Sequence, residues 1–165
     1  MKKVLAIFLA FIIGLSMSAQ IQNKLLGFTL GSTTKSEVYN KYKNEELFTA
    51  NGDDIGVGDL KFAGQTWDVT IFRFYNNKLM LVQFSVTDGM SPLSAIETVW
   101  ESFKQKLMKK YDTYYLYSST SDFLSFSDNI THLSLSRSVY GTGVNLLYYD
   151  IALADQQSVE EEGEL

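Results

Sequence analysis

Side chains that can take part in catalysis are few in this chain, and their spacing does not match a known catalytic arrangement. His132 is the only histidine, and Ser134 lies two residues further along the same predicted strand. A serine–histidine–acid triad needs three side chains that converge in one pocket, whereas side chains two residues apart on a strand run parallel. Catalytic zinc sites usually draw on more than one histidine. We therefore expect His132 to be an exposed strand residue.

Paired carboxylates give no better case for catalysis. Glu97 and Glu101 fall on one flank of a predicted helix, whereas the two carboxyls of a glycoside hydrolase face each other across about 5–10 Å. Three aspartates near glycines lack the spacing of a twelve-residue calcium loop: Asp53, Asp54 and Asp59. We expect no metal and no cofactor, and we predict that the chain is not an enzyme. A hydrolase that uses Asp68, Glu97 and Glu101 is the least favoured alternative.

Composition narrows the possible partners. The chain has no cysteine and a net charge of −5. The missing thiol excludes disulfides, thiolate nucleophiles and thiolate metal sites, and we expect no lipid anchor on an N-terminal cysteine. No basic stripe runs along the sequence, so nucleic acid is not an expected partner.

The first nineteen residues have the build of a secretory signal peptide. Lys2 and Lys3 precede a short apolar run over residues 4–15, and small residues follow up to Ala19. An apolar run of about 12 residues is shorter than the roughly 20 that a membrane-spanning helix needs. We expect cleavage before Gln20, no transmembrane segment in the mature chain, and a bacterial protein exported to the periplasm or out of the cell.

Two strands around a two-residue turn are the clearest β signal. Residues 66–75 and 78–86 flank Asn76 and Asn77, and asparagine tolerates the positive φ of a type I′ turn. Counting outwards from this turn predicts one apolar core face: Trp67, Val69, Ile71, Val82, Phe84 and Val86. The opposite face then carries an apolar patch: Phe72, Phe74, Leu79 and Leu81.

Two helices are also predicted. Thr34 and Glu37 have the spacing of a capping box, which indicates a short helix over about 35–43. A longer helix opens with Ser91 as N-cap and Pro92 at its first position. Its apolar residues recur every three or four positions and form one stripe: Leu93, Ile96, Trp100, Phe103 and Leu107.

The remaining strands are less distinct. Residues 55–62 are typical of an edge strand, and a last strand is predicted over about 144–153. Residues 123–127 and 130–137 form a hairpin that sets two pairs of apolar side chains side by side: Leu124 and Phe126 with Leu133 and Leu135.

The sequence shows a similar pattern in its two parts when they are aligned at an offset of 58 residues. At this offset Gly31 aligns with Gly89, and Val38 aligns with Ile96. Chance convergence of amphipathic patterns is the alternative explanation. We predict an α+β fold of two α-β-β-β repeats, with the helices packed on one face of antiparallel sheet. The first unit covers 20–87 and the second 88–154, after a signal peptide at 1–19. Residues 155–165, rich in acids, are predicted to form a disordered tail.

The first unit carries a family resemblance. Residues 31–38, Trp67 and the segment 75–79 leading into Phe84 resemble the small outer-membrane assembly lipoproteins of the SmpA/OmlA type. The pattern is also similar to the tandem-repeat fold of the β-lactamase inhibitor protein. The resemblance covers about 31–86 and, more loosely, its repeat up to 153, and it implies a non-catalytic protein-binding module of the cell envelope. The chain departs from both, because the first family is anchored through a cysteine and the inhibitor carries disulfides.

The apolar patch supplies the candidate binding surface. Its four residues and Tyr148 are of types that interfaces favour, and they are the partner-binding candidates: Phe72, Phe74, Leu79, Leu81 and Tyr148. Packing inside the protein is the alternative. The favoured function is non-catalytic binding of an envelope or extracellular protein through this sheet face. A carbohydrate-binding protein that stacks exposed tyrosines on sugar rings is the second hypothesis.

Overall fold

The computed structural model describes residues 20–111, 115–119, 121–138 and 142–163, and for 115–119 it describes the backbone alone. The predicted signal peptide, residues 1–19, lies outside the described residues. None of the helices in these ranges combines the length and the apolar composition that a bilayer-spanning helix requires.

Two four-stranded meanders make up one antiparallel sheet. The first contains β3 (Phe48–Asn51), β4 (Asp54–Phe62), β5 (Gln65–Tyr75) and β6 (Lys78–Thr87), and the second contains β7 (Tyr115–Ser119), β8 (Phe123–Ser127), β9 (Thr131–Arg137) and β10 (Gly143–Asp150). The strand order is β3-β4-β5-β6-β10-β9-β8-β7. The last strands of the two meanders therefore pair in the middle of the sheet, where β6 and β10 share seven residue pairs.

Helices precede both meanders. A small hairpin, β1 (Lys24–Leu25) with β2 (Phe28–Thr29), and α1 (Lys35–Tyr42) come before the first, α2 (Leu93–Lys110) comes before the second, and α3 (Ile151–Gly163) follows β10. The described chain is thus an α+β fold with three helices and a large antiparallel sheet, which confirms the predicted class. Four strands follow each of the first two helices, rather than the three predicted.

The turn between β5 and β6 has the predicted geometry. Asn76 and Asn77 both have positive φ, 49° and 59°, and Tyr75 pairs with Lys78 directly across the turn. Two consecutive residues with positive φ are the requirement of a type I′ turn, which matches the right-handed twist of the flanking strands.

A β-bulge near this turn changes the faces of the hairpin. The register shifts between Arg73 and Phe74, so Phe72 pairs with Val82 instead of the predicted Leu81. Since side chains alternate along a strand, a shift of one residue exchanges the two faces. The predicted core face is right for β6 and wrong for the centre of β5, and the buried side chains on this face are Thr70, Phe72, Phe74, Leu79, Val82, Phe84 and Val86.

The edge of the first meander is β3 and not the predicted strand at 55–62, which lies one position further in as β4. Two glycines of β4 lie against side chains from this edge of the sheet. A Cβ on Gly56 would lie 2.6 Å from Thr49 Oγ1, and a Cβ on Gly58 would lie 2.6 Å from Leu47 Cδ1. A side chain at either position would require Thr49 of β3, or Leu47 just before it, to move.

An aromatic cluster lies between α1 and the first meander. The rings of Phe28, Tyr42 and Phe72 lie 5.6–5.9 Å apart, centroid to centroid, and desolvation raises the pKa of Tyr42 to about 12. The helix begins where the sequence predicts, and the Glu37 carboxylate accepts a 2.7 Å hydrogen bond from the Thr34 N–H. The eight-residue α1 covers only part of the first meander. The β1–β2 hairpin covers a further part, where Phe28 contacts Phe72.

The second half is covered by α2, which confirms the predicted long helix. Four of the five stripe residues are buried: Ile96, Trp100, Phe103 and Leu107. Leu93, the first helical residue, is 57% exposed. The helix begins after Pro92, and Ser91, the predicted cap, instead donates a hydrogen bond to Asp68 at 3.0 Å.

The β8–β9 hairpin has the predicted register. Leu124 pairs with Leu135 and Phe126 with Leu133, and all four are buried. Asp128 stabilises the turn between β8 and β9. Its carboxylate accepts hydrogen bonds from three backbone N–H groups at 2.6–2.8 Å: those of Ile21, Ile130 and Thr131.

The C-terminal segment differs from the prediction of a disordered tail at 155–165, because residues 155–163 belong to α3, and β10 ends at Asp150 rather than near 153. The Asp150 carboxylate accepts a hydrogen bond from the Leu153 N–H at 3.0 Å, as a helix cap does. Leu153 is buried, and Gln157 donates to Glu161 one turn further on. These local interactions order a segment whose charge pattern alone suggests disorder.

Candidate binding surface

The structure places four of the five candidate residues in the core. Phe72, Phe74, Leu79 and Tyr148 are 0–4% exposed, so they do not form an outward patch. Only Leu81 is half-buried and lies on the opposite face. The bulge accounts for this correction, because it separates Leu81 from Leu79 and moves Phe72 onto the core face. The sugar-stacking hypothesis also loses its named tyrosine, since Tyr148 is buried.

The face of the sheet opposite α1 and α2 is the candidate surface, and we call it the open face. Strand pairing puts the following side chains on it: Val69, Ile71 and Arg73 of β5, Leu81, Gln83 and Ser85 of β6, Asn145, Leu147 and Tyr149 of β10, and His132, Ser134 and Ser136 of β9. Both meanders contribute, and the β6–β10 pair forms its centre.

Half-buried apolar side chains form a band across the open face. The band consists of Val69, Ile71, Leu81, Leu147 and Tyr149, none of which is fully buried. Leu81 and Tyr149 are direct cross-strand partners, and Ile71 and Leu147 flank Gln83 on either side. Because adjacent strands lie about 4.8 Å apart, the five side chains form one area around Gln83.

A hydrogen-bonded polar group begins within the band at Gln83 and extends to Ser85 and Asn145 at its side. The Ser85 hydroxyl donates to Asn145 Oδ1 at 2.7 Å, and the Gln83 side-chain amide donates to both residues at 3.1–3.2 Å. These contacts fix the orientation of three polar side chains on adjacent strands before any partner arrives, which lowers the entropy cost of using them in binding.

An ion pair lies at another side of the band. Arg73 binds the Asp54 carboxylate through two hydrogen bonds of 2.8 and 2.9 Å. Hydrogen bonding to this guanidinium lowers the pKa of Asp54. Both side chains stay more than one-third exposed, so the pair remains available to a partner.

His132 and Tyr149 form a stacked pair on the open face. Their ring centroids lie 4.7 Å apart with the planes 16° from parallel, so each ring presents its edge, and one of its faces is occupied by the other ring. His132 is half-buried rather than exposed as predicted, and desolvation lowers its pKa. Around it the strands carry small hydroxyl side chains: Ser125, Ser127, Ser134 and Ser136.

The carboxylates singled out in the sequence have structural partners or lie apart from one another. Glu97 accepts a 2.6 Å hydrogen bond from Arg137, while Glu101 is exposed. Asp68 accepts hydrogen bonds from the Thr87 N–H and from Ser91. Within the described ranges, no group of three or more carboxylate or imidazole side chains is placed to hold a metal ion.

The α3 helix borders the open face at the β5–β6 turn. Its Glu160 carboxylate, which lies close to the Tyr75 hydroxyl, raises the pKa of Tyr75. Sequence reasoning missed both this helix and the true composition of the open face. The alternation of Val69, Ile71 and Arg73 was visible, but the bulge that turns this row outward has no signal of its own.

Comparison with known proteins does not add to this geometry: no family model, no curated protein and no solved structure matches the chain.

Proposed function

We propose that this protein is a non-catalytic binding module that recognises another protein through the open face. The observation that carries the proposal is the band of five half-buried apolar side chains lying opposite the packed helices. Monomeric proteins rarely leave contiguous apolar areas of large size in contact with water, and such areas mark interaction sites.

The surroundings of the band have the composition of a protein interface. Interfaces combine an apolar centre with a polar rim. Here Leu81 and Leu147 lie beside Gln83 near the centre, and the rim carries Ser85, Asn145 and the Arg73–Asp54 ion pair. A rim of this kind fixes orientation, while the apolar centre supplies most of the binding free energy.

We also propose that the sheet arose by duplication of the unit predicted as α-β-β-β, which here has four strands after each helix. Three features support it: a helix precedes each meander, both meanders run from an outer edge to the middle, and their last strands pair with each other. In this view the binding surface exists only when both units are joined, because β6 and β10 form its centre.

We further propose that the protein works outside the cytoplasm of a bacterium and binds a protein of the cell envelope or the extracellular space, without nucleic acid and without a lipid anchor. The support is the signal-peptide build of residues 1–19 and the absence of cysteine. Protein recovered from outside the cytoplasm should begin at Gln20. Recovery of chains that still carry Met1 would contradict export by cleavage.

Site-specific photocrosslinking tests the open face. A benzophenone side chain at Leu81 or at Leu147 should crosslink to one and the same protein in living cells, and the Ile71→Ser change should abolish both crosslinks. A probe at Glu101, exposed on α2, serves as the matched control. Equal crosslinking from Glu101, or crosslinks from Leu81 that survive Ile71→Ser in a folded protein, would contradict the proposal.

A further inference from the structure

We infer that the outer edge of β3 is a second protein-binding site, which takes an extended basic segment of a partner as an added antiparallel strand. This site is separate from the open face and does not depend on the function proposed for it. Addition of a strand to a sheet edge is a common mode of peptide recognition, in which backbone hydrogen bonds supply affinity and side chains supply selectivity.

The register of β3 shows which backbone groups are available. The Gly58 N–H donates to the Leu47 C=O at 3.0 Å, and the next pairs along the strands are Phe48 with Val57 and Thr49 with Gly56. Antiparallel pairs alternate between bonded and non-bonded.

Thr49 and Asn51 consequently direct their backbone groups toward β4, whereas Phe48 and Ala50 direct theirs outward. In the described ranges no strand pairs with this side of β3. Two N–H and two C=O groups are thus presented in a row.

The β3 edge lacks most of the features that keep sheet edges from pairing. Natural edges are kept very short or carry charged side chains, prolines or bulges, and of these features β3 has only its short length of four residues. The strand reads Phe-Thr-Ala-Asn, with neither charge nor proline, and its pairing with β4 runs without a register shift. The opposite edge differs, because a bulge interrupts the pairing of β7 with β8 between Leu116 and Ser118.

The negative charge near the start of β3 indicates that the added strand is basic. At the start of β3, a recess of about 350 Å³ is lined by Glu45, Glu46, Leu47, Gly58 and Asp59. The ion pairs found among the described residues belong to Arg73 and Arg137, so these three acids have no basic partner there.

Leu47, beside them, is 50% exposed and offers an apolar contact to the stem of a long side chain. A lysine or arginine at the end of the added strand therefore fits the recess, and an acidic segment is repelled.

The test uses a capped eight-residue peptide of alternating threonine and valine that ends in two lysines, and a matched peptide that ends in two glutamates. Binding to the purified, isotope-labelled protein is followed by amide NMR. The lysine peptide should shift the Phe48 and Ala50 amide signals and bind about tenfold more tightly than the glutamate peptide. The double change Glu45→Gln/Glu46→Gln should remove most of this preference.

The Ala50→Pro variant tests whether binding of the lysine peptide uses the outer edge of β3. Proline is tolerated on an edge strand where the N–H faces outward, so the variant should fold and lose peptide binding, whereas Leu147→Ser on the open face should bind normally.

The inference is overturned if the lysine peptide leaves Phe48 and Ala50 unshifted, or if both peptides bind alike. Should Ala50→Pro fail to fold, amide exchange decides: exchange at Phe48 and Ala50 as slow as at Thr49 and Asn51 would refute the outward orientation.

Discussion

The two halves of the sheet share a strand plan and differ in what covers them. The first meander lies under an eight-residue helix and the small β1–β2 hairpin, and its core is an aromatic cluster around Phe72. The second lies under the eighteen-residue α2, whose apolar stripe covers β9 and β10. A long amphipathic helix can bury one half of a sheet alone, whereas the short α1 needs additional chain to do so.

The open face differs between the halves as well. The first half contributes Val69, Ile71, Leu81 and the Arg73–Asp54 pair, while β8 and β9 in the second half carry mostly serines. The apolar band therefore belongs to the first meander and to β10. Under the proposed function, the central strands would carry recognition, while α2 packs against the second meander.

Removal of the α2 anchor should have the largest effect. Trp100 is 1% exposed, and Trp100→Ala should lower the free energy of unfolding by about 3–5 kcal/mol through lost burial and an unfilled cavity. Urea denaturation followed by circular dichroism measures the change. A melting temperature within two or three degrees of the parent would contradict the role assigned to α2.

The tryptophans also test whether the halves unfold together. Trp67 lies in the first meander, yet its ring is 5.1 Å from Phe103 of α2, and β6 pairs with β10 along most of its length. Trp67→Phe and Trp100→Phe each leave one fluorescent probe, and the two urea transitions should coincide in midpoint with that from circular dichroism of the same variant. Separate transitions would make the halves independent units.

The two hairpin turns should respond to different substitutions. Asp128→Ala removes the acceptor of three backbone hydrogen bonds and should cost about 1–3 kcal/mol. Asn77→Ala should cost about 1–2 kcal/mol because alanine disfavours positive φ, while Asn77→Gly should be neutral or stabilising. Thermal unfolding of the three variants checks the contrast. A loss for Asn77→Gly as large as for Asn77→Ala would show that the asparagine side chain, and not backbone conformation, holds the β5–β6 turn.

The ion pairs of the two halves should differ in their contribution to stability, by less than the substitutions above. Arg73 is 46% exposed, whereas Arg137 is 23% exposed, contacts both Asp122 and Glu97, and lies 5.4 Å above the Trp100 ring. Exposed pairs contribute about 0–1 kcal/mol, and we expect a larger loss for Arg137→Leu than for Arg73→Leu. Double-mutant cycles with Asp122→Asn and Asp54→Asn isolate the pair energies. Equal coupling energies would show that exposure and the aromatic contact do not matter here.

Local patterns in the sequence determine the elements of this fold more securely than their faces. The stripe from Ile96 to Leu107 and the two asparagines of the β5–β6 turn each follow from short-range rules, and the structure confirms them. The bulge after Arg73 does not follow from such rules, because it places Phe72 on the face that packs against Tyr42 of α1, which lies far away in sequence. The choice of candidate residues depended on that register, so one missed bulge moved the predicted surface into the core.

Composition misled the prediction in two further places. The glycine-containing residues 55–62 are predicted as an edge strand, but β3 covers that edge, and the side chains of Thr49 and Leu47 lie against Gly56 and Gly58. The acidic residues from Asp155 onward are typical of disorder. The helix is nevertheless ordered, because Asp150 caps its first turn and Leu153 is buried. The first case depends on a contact with another strand, and the second on a local cap together with the burial of Leu153. Neither can be read from the composition of the segment.

The smallest expected effect concerns the histidine of the serine-lined half. Burial against Tyr149 lowers the pKa of His132 from its ordinary value of 6.5, so the folded protein takes up this proton at a lower pH than the unfolded chain does. The unfolded state therefore binds more protons just below pH 6.5, and stability falls as the pH drops through that window. His132→Gln removes this contribution while the carboxylates remain. Between pH 7.5 and 5.5 the melting temperature of the parent should fall slightly more than that of the variant, and parallel curves would show that the ring stack leaves the protonation of His132 unaffected.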